Sequence, residues 1–467
     1  MRRFSLVSLF SGAGGLDLGF VLSGFYSVVF ANDVLLPAVQ TYSRNFGLKP
    51  RYCGDAVEAE AGTALACDVV LVDFTPLRDL EVDVVTGGPP CQDFSIVRGP
   101  EGKRRGVEAR RGRLYAHFVR ALATLRPKAF VFENVPGLAS ANRGLAYKAV
   151  LEDFSHLNTR WSEVGKTAGS GVTGGPEEGY EIVFSGVADF TKLGVPQMRK
   201  RLIVVGIRRD LLGGSPERLL EVSRFFAYKL GGGDALFRKY PLTPIEVFEG
   251  RRLDELDEVY REVMREWGGV WLEVGSELAW RWKREVWDRL ALNIIEDYLL
   301  LNGVHYHSRE ELERALEEHE ALLKELGYYG RRVEDIDPPD GSNRLPRETR
   351  EVLERLRRIP PGENHEFVKG TRWEIKGLMS NTYRRAFPLT PAPTVLAYGG
   401  GGTWGYHYER RRGMLTNRER ARLQTFPDNF LFTGTQSQMR AQIGEAVPPL
   451  AGRAIAEALA HVLNSIT

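Results

Sequence analysis

The chain has 467 residues, a formal net charge of +2, 43% hydrophobic residues and 27% charged residues. This length allows two or three domains, and the composition excludes a disordered or collagen-like chain. No apolar run approaches the ~18 residues that a membrane-spanning helix needs, so we expect no membrane partner. The cysteines, Cys53, Cys67 and Cys91, form no C-x-x-C pair. They predict neither a zinc site nor a disulfide framework, and they fit a reducing cytoplasm.

The first part of the chain, to about residue 207, alternates between strand-like and helix-like segments. Strand-like segments lie at 5–10, 26–31, 69–72, 82–86, 129–132, 180–185 and 202–207, and the clearest helices are predicted at 35–46 and 114–125. Such an alternation favours an α/β fold with a mostly parallel sheet that helices cover on both faces.

Beyond residue 207 the chain is richer in charge and tryptophan and loses this alternation. Apolar residues at helical spacing predict a helix over 281–301. Ser308 with Glu311, and Thr416 with Glu419, have the spacing of helix-starting capping boxes, so we expect helices to begin there.

Cys91 follows a strand-like segment that ends in two glycines and two prolines. It is the first residue after that turn able to do covalent chemistry. A thiolate at the carboxyl end of a strand in an open α/β sheet lies where such folds place their ligands. A cysteine taken alone at this point is more often a buried structural thiol, so its assignment depends on the other motifs.

A glycine-rich loop over 10–16 follows the first strand and opens a helix, which lets bare backbone approach a nucleotide-like ligand. As a dinucleotide fingerprint it fails, because Asp17 stands where the third glycine belongs. Asp33, at the end of the second strand, can accept both hydroxyls of a ribose, and Asp55 can accept an adenine amino group. Either aspartate taken alone is more often a helix cap.

Further polar residues flank other strand-like segments. Glu133 directly follows the strand-like segment at 129–132. A carboxyl group held against apolar neighbours has a raised pKa, which suits proton donation. Arg199 and Arg201 precede another strand, and alternation directs both towards a polar or anionic ligand. The segments 98–113 and 410–422 are basic and are candidates for phosphate contact, although such runs are more often solvated surfaces.

In this order, the motifs resemble those of the DNA cytosine-5 methyltransferases. The shared motifs are the FSGAGG loop at 10–15, ND at 32–33, GD at 54–55, PPCQ-x-FS at 89–95, ENV at 133–135, Q-x-R-x-R at 197–201, R-L-Q-x-F-P at 422–427 and G-x-x-V-P at 444–448. The resemblance implies a Rossmann-like S-adenosylmethionine-binding domain over 1–207, completed by a C-terminal helix over 436–467. A smaller, mixed α+β target-recognition domain is expected over 208–435.

The resemblance also implies a mechanism. Cys91 would add to C6 of a flipped-out cytosine, so that C5 can attack the methyl group of S-adenosylmethionine. Glu133 would hold N3 and N4 of the base and Arg201 would contact its O2 edge. Arg199 and Arg201 would together help to ionise the thiol. The implied catalytic set is Cys91, Gln92, Glu133, Asn134, Arg199 and Arg201.

Cofactor and DNA contacts follow from the same resemblance. The cofactor set is Phe10, Ser11, Gly12, Ala13, Gly14, Gly15, Leu16, Asp33, Val34, Asp55, Ala56, Pro89, Ala446 and Val447. The DNA-binding set is Ser95, Arg98, Arg104, Arg105, Arg384, Arg385, Trp404 and Tyr406. Three positions depart from the family pattern: Ser8 stands where an acidic residue is common, Val34 where a bulkier one is, and Glu445 replaces the usual asparagine of the last motif.

We therefore expect a monomeric, metal-free, cytoplasmic enzyme of a prokaryote that methylates a specific double-stranded DNA sequence. It would protect that sequence from a restriction endonuclease to which it is not stably bound. A tRNA cytosine-5 methyltransferase is one alternative, disfavoured by the long recognition region and by Gln92, where that branch tends to have threonine. The other is a catalytically silent DNA-binding protein; Cys91, Glu133 and Arg201 argue against it, while Glu445 leaves room for it.

Overall fold

The computed structural model describes residues 3–54, 57–90, 114–157, 179–376, 382–398 and 405–466. Its chain divides into two compact units: unit 1 comprises Met1–Asp189, Lys200–Gly233 and Pro449–Thr467, and unit 2 comprises Phe190–Arg199 and Asp234–Pro448. The long segment of unit 2 therefore begins at Asp234 rather than at residue 208, and unit 1 resumes at Pro449 rather than at residue 436. The reason for the first difference is that helix Pro216–Leu230 packs on the strand Tyr180–Asp189 and on the C-terminal helix, Pro449–Ile466.

Unit 1 is built on an eight-stranded sheet. Its strands are β1 Phe4–Leu9, β2 Tyr26–Asp33, β3 Lys49–Tyr52, β5 Thr63–Ala66, β7 Val84–Gly87, β8 Ala129–Asn134, β9 Tyr180–Asp189 and β10 Lys200–Arg208, while β4 Val57–Glu58 and β6 Val72–Asp73 pair separately. The order is β3-β5-β2-β1-β7-β8-β10-β9, and β10 alone runs in the direction opposite to the other strands. The predicted mostly parallel sheet is confirmed.

Helices cover this sheet. In unit 1 they are Gly15–Leu22, Leu36–Phe46, Leu114–Leu125, Gly137–Ser140, Leu145–His156, Pro216–Leu230 and Pro449–Ile466. The central strands are apolar on both faces, as a covered parallel sheet requires; Val85 and Phe130, for example, have no exposed surface. The C-terminal helix completes this unit because Gly452 lets its backbone approach helix Gly15–Leu22: a Cβ there would lie 2.5 Å from the carbonyl oxygen of Leu16.

The centre of the sheet is a topological switch point. Strand β1 lies between β2, which follows it in the chain, and β7, which comes later, with Leu9 paired to Asn32 on one side and to Gly87 on the other. Because β10 runs antiparallel to β8, Ile203 near its start pairs with Glu133 near the end of β8. The carboxyl ends of β1, β2, β7 and β8 and the start of β10 therefore share one edge, where open α/β sheets bind ligands.

Unit 2 is mainly helical in the part of the chain that the structure describes. Its helices are Pro244–Glu249, Asp257–Arg265, Val270–Val274, Glu277–Glu285, Ile294–Leu301, Arg309–Glu325, Arg350–Leu356, Asn417–Leu423 and Gln436–Glu445. Its β-structure within the described residues is confined to isolated bridges such as Arg385 with Tyr406, which is less than the expected α+β mixture. Both predicted helix starts are present: Ser308 accepts the N–H of Glu311, and Thr416 forms a full capping box.

Several local predictions were wrong. The predicted helix over 281–301 is interrupted because the side chain of Asn293 accepts the N–H groups of Ile295 and Glu296 and so starts a new helix. The predicted strand at 69–72 is mostly a single 3₁₀ turn, capped by the side chain of Asp68. The short strands β3 and β5 were not predicted.

The prediction of no disulfide was also wrong, because Cys53 and Cys67 are bonded with their Cα atoms 4.8 Å apart. Strands β3 and β5 are parallel neighbours in which Tyr52 pairs with Ala66. Each cysteine is the next residue on its strand, so the register brings the sulfurs together. Among the described residues, no helix has the length and apolar character needed to cross a bilayer.

Candidate active site

The glycine-rich loop leaves β1 through left-handed backbone. Phe10, Gly12 and Gly14 have φ values of 54°, 51° and 89°. Gly14 is also needed for packing, because a Cβ there would lie 2.5 Å from the ring of Phe46, whereas a Cβ on Gly12 would meet nothing within 4 Å. The hydroxyl of Ser11 is buried and has no hydrogen-bond partner among the described residues. The loop thus offers open backbone and an unused polar atom.

Asp33 lies against this loop from the end of β2. Its Oδ2 accepts the N–H of Gly12 at 2.8 Å and its Oδ1 accepts the N–H of Leu35 at 2.8 Å. Each carboxylate oxygen can accept a further bond, so two hydroxyls can still be held. Burial raises the pKa of Asp33, and the backbone hydrogen bonds, which lower it, compensate only in part.

These residues fit the adenosine part of S-adenosylmethionine. The open loop and the unpartnered Ser11 hydroxyl suit a polar ligand, Asp33 suits the two ribose hydroxyls, and Val34, with 66% of its surface exposed, offers an apolar face next to them. Asp55 and Ala56, predicted for the adenine, lie outside the described residues. Ala446 and Val447 belong to unit 2.

Asp17 lies buried at the start of the helix that follows the loop, a role the sequence did not reveal. Its carboxylate accepts the hydroxyls of Ser8 at 2.6 Å, Thr86 at 2.8 Å and Tyr42 at 3.0 Å. Burial raises the pKa of Asp17, while these three bonds partly offset that effect. This explains why Ser8 stands where the family commonly has an acidic residue, because an acidic side chain there would place a second carboxylate beside Asp17.

Glu133 forms an ion pair with Arg201. Its Oε1 lies 3.0 Å from Nε of Arg201, and the two side chains are only 13% and 17% exposed. Glu133 also lies against Gly88, where an added Cβ would come to 2.8 Å from Oε2. Gly88 therefore leaves room for this carboxylate. In the sequence, the only signal for this role of Gly88 was the pair of glycines before the two prolines.

Asn134 joins the end of β8 to the turn after β7. Its Nδ2 donates to the carbonyl oxygen of Pro89 at 2.9 Å. Cys91 lies two residues further along and is outside the described residues, as are Gln92, Ser95, Arg98, Arg104 and Arg105.

Arg199 does not have the predicted exposure to a ligand. Strand β10 begins at Lys200, so Arg199 is not part of its alternation, and its side chain is completely buried. Within unit 2 its Nη2 donates to the carbonyl oxygens of Gly444 at 3.0 Å and Ala446 at 2.8 Å. Arg199 thus fixes the backbone of the last motif rather than touching substrate, while the Glu445 side chain is exposed.

Two of the predicted DNA contacts are also structural. Arg385 is fully buried and donates to the carbonyl oxygens of Ile359 at 2.7 Å, Leu356 at 2.8 Å and His407; burial lowers its pKa to about 9. Tyr406 is 1% exposed, and burial raises its pKa. Neither side chain is accessible to a duplex. Arg384 is partly exposed, and Trp404 lies outside the described residues.

The second half of the basic segment 410–422 is also buried and is not a phosphate-binding surface. Arg418, Arg420 and Arg422 are at most 1% exposed. Arg418 pairs with Asp340 at 3.1 Å and Arg422 with Asp428 at 2.5 Å. Arg418 and Arg422 thus satisfy buried acceptors within unit 2.

Comparison with known proteins places the chain among DNA-modifying enzymes. Residues 4–223 and 279–461 match the family described as C-5 cytosine-specific DNA methylase. The DNA (cytosine-5-)-methyltransferase M.ApeKI of Aeropyrum pernix is 61% identical over 469 residues, covering 100% of both chains. The type II methyltransferase M.NgoFVII of Neisseria gonorrhoeae is 30% identical over 95% of this chain and 83% of its own.

A solved structure shares the fold. A prophage-encoded protein of E. coli, assigned as a DNA modification methyltransferase, superimposes with a TM-score of 0.55 at 19% identity. The match covers 99% of this chain and 100% of that one.

Proposed function

Since the chain belongs to the family of C-5 cytosine-specific DNA methylases, we propose which of its residues perform the reaction. The protein is a DNA (cytosine-5-)-methyltransferase that uses S-adenosylmethionine. One observation carries the residue assignment: the Glu133–Arg201 ion pair lies against Gly88, at the sheet edge where the turn towards Cys91 begins.

Cys91 is the nucleophile in this proposal. C5 of cytosine is a weak nucleophile, and addition of a thiolate to C6 converts it into an enamine-like carbon, which divides one difficult step into easier ones. S-adenosylmethionine supplies the electrophilic methyl group that C5 attacks. Removal of the C5 proton then restores the C5–C6 double bond and expels the thiol. The target base must leave the duplex, at a cost of a few kcal/mol.

Glu133 and Arg201 recognise and activate the base. The carboxyl group of Glu133 accepts a hydrogen bond from the N4 amino group, and in its protonated form donates to N3 as charge develops there. Arg201 holds the carboxyl group through its Nε at 3.0 Å, which fixes its orientation before the base arrives. Arg201 then also contacts the O2 edge.

The remaining residues position these groups. Asn134 holds the Pro89 carbonyl at 2.9 Å and so orients the turn that leads to the nucleophile. Asp33 holds the ribose hydroxyls, the 10–15 loop surrounds the rest of the cofactor, and Asp55 and Ala56 take the adenine. Gln92, Ser95, Arg98, Arg104 and Arg105 are proposed to contact the base and the DNA backbone, together with Arg384.

The biological role is a finer proposal. M.NgoFVII is named a type II methyltransferase, and we propose that this chain similarly modifies sites that a restriction endonuclease would otherwise cut. It would act in the cytoplasm of a prokaryote as a monomer, without stable binding of the nuclease. Sequencing of the methylated positions in DNA from expressing cells tests the role in site modification. The mass of the purified protein in solution tests the monomeric state.

A labelling experiment tests the reaction and its alternatives. The protein is incubated with methyl-labelled S-adenosylmethionine and either duplex DNA or tRNA, with Cys91→Ala as the control. Label in DNA alone, lost in the variant, supports the proposal. Label in tRNA would favour the tRNA enzyme, and no label in either would favour a catalytically silent DNA-binding protein.

A further inference from the structure

The Cys53–Cys67 disulfide lies at the cofactor edge of the sheet. Cys67 directly follows β5, which lies beside β2, the strand that ends in Asp33. Cys53 directly follows β3, which is the edge strand and pairs only with β5. The bond therefore closes the outer margin of the sheet at the end where open α/β sheets bind their ligands.

Hydrogen bonds connect Cys67 to the backbone of Asp33, the proposed ribose ligand, and to the side chain of Asn32. The N–H of Cys67 donates to the carbonyl oxygen of Asp33 at 2.9 Å, and the amide of Asn32 donates to the carbonyl oxygen of Cys67 at 2.9 Å. Cys53 in turn donates its N–H to Ala66 at 3.1 Å. A shift of Cys67 would therefore move the backbone from which the Asp33 side chain projects.

The edge strand β3 is only weakly held to the rest of the sheet by other contacts. Strand β3 has four residues, Lys49–Tyr52, of which three are exposed, so little burial holds it to β5. Short edge strands with few buried contacts open locally at low cost. Cys67 by contrast is 3% exposed and packed in the core of unit 1, so the covalent bond ties a weakly held strand to a firmly held one.

We propose that Cys53 and Cys67 are positioning residues for S-adenosylmethionine: their disulfide keeps the end of the edge strand β3 paired with β5, and so keeps the edge of the sheet beside Asp33 in the shape that binds the cofactor. The inference rests on the proposed cofactor site. A dithiol reductant would transfer two electrons and two protons to the two sulfurs, leave as its own cyclic disulfide, and loosen this edge. Cys53 is the exposed partner and hence the sulfur that the reductant reaches first.

The test measures cofactor binding separately from activity. The affinity for S-adenosylhomocysteine is determined by calorimetry for the untreated protein, for the protein treated with dithiothreitol, and for Cys53→Ser. Cys53→Ser is chosen because it changes an exposed atom and leaves the buried Cys67 in place. Mass spectrometry of alkylated peptides reports the state of the bond. We expect reduction and Cys53→Ser each to weaken binding by about fivefold, and dithiothreitol to cause no further loss in Cys53→Ser.

Steady-state kinetics separate positioning from a merely structural role. KM for S-adenosylmethionine should rise by the same factor, while kcat and KM for DNA stay unchanged, and reoxidation of the wild-type protein should restore KM. Free thiols at both positions in the untreated protein would overturn the inference. So would a lower unfolding temperature with unchanged cofactor affinity. Absence of cofactor binding in every form would overturn the proposed cofactor site as well.

Discussion

At the scale of single residues, the candidate site depends on carboxylates that lie close to glycine backbone. Glu133 lies against Gly88 and Arg201, and Asp33 lies against Gly12. Each carboxylate is held in place by these partners. A small change at Gly88, where an added Cβ would meet Glu133, should therefore alter chemistry more than folding.

Gly88→Ala tests this at Glu133. The added Cβ would lie 2.8 Å from Oε2, so the carboxylate must move away from its position beside Arg201. A displacement of about 1 Å at a reacting group can cost ~100-fold, so we expect kcat to fall about 100-fold with cofactor affinity unchanged. Gly137→Ala is the matched control, because a Cβ there meets nothing within 4 Å. Equal activity of the two variants would contradict the role of Glu133.

Asp33→Ala tests the ribose assignment. Loss of the carboxylate removes the acceptors for two hydroxyls, and hydrogen bonds to a charged group contribute about 1.5–3 kcal/mol each. We expect affinity for S-adenosylhomocysteine to fall at least about 100-fold while DNA retention on a filter is unchanged. Asp210→Ala, which removes an exposed carboxylate paired with Arg208 at the opposite edge of the sheet, should bind normally. Unchanged cofactor affinity in Asp33→Ala would remove the assignment.

At the scale of elements, buried charged groups hold the loops and helices of unit 2 together. Arg385 binds carbonyl groups of two separate segments, 356–359 and 407–412, and Arg199 binds carbonyl groups of the last motif. Such groups stabilise a conformation because their removal leaves buried acceptors unsatisfied.

Arg385→Met should therefore destabilise the protein. It keeps an unbranched apolar stem but removes every donor, and removal of one partner from a buried charged network costs about 3–5 kcal/mol. Arg384→Met, at the partly exposed neighbour, should cost less than about 1 kcal/mol. Denaturant unfolding measures both, and similar losses in the two variants would contradict the structural role of Arg385.

A buried histidine predicts a pH dependence of stability. His319 and Glu246 form a pair at 2.9 Å with at most 1% exposure. Burial lowers the pKa of His319, but the coulombic attraction and hydrogen bond of Glu246 outweigh it, so the pKa lies above its usual 6.5. A folded pKa above the unfolded one gives stability that is complete below about pH 6.5 and is lost as pH rises through the folded value.

The measurement is the unfolding temperature between about pH 6.5 and pH 9. It should fall in the wild-type protein and fall less steeply in His319→Gln. His461→Gln, at an exposed position in unit 1, should keep the wild-type slope. Parallel slopes in all three proteins would show that the His319–Glu246 pair does not titrate in this range.

At the scale of the whole molecule, the sequence predicted the edge of the sheet better than the interior of unit 2. Gly12, Asp33 and Glu133 lie at or just beyond the ends of strands, and strand ends are marked locally by glycine and polar residues. The partners of Arg199 and Arg385 are carbonyl groups far away in the chain, which no local pattern reveals. The disulfide depends on the register of β3 against β5, two short strands without a strong apolar signal.

The central claim is a transient bond between the sulfur of Cys91 and C6 of cytosine. Duplex DNA made with 5-fluorocytosine tests it most directly, because fluorine at C5 blocks the proton loss that expels the thiol. With S-adenosylmethionine present, we predict a denaturation-resistant protein–DNA complex whose cross-linked peptide contains Cys91, and none with Cys91→Ser. A cross-link at another residue, or an equal amount with Cys91→Ser, would contradict the account.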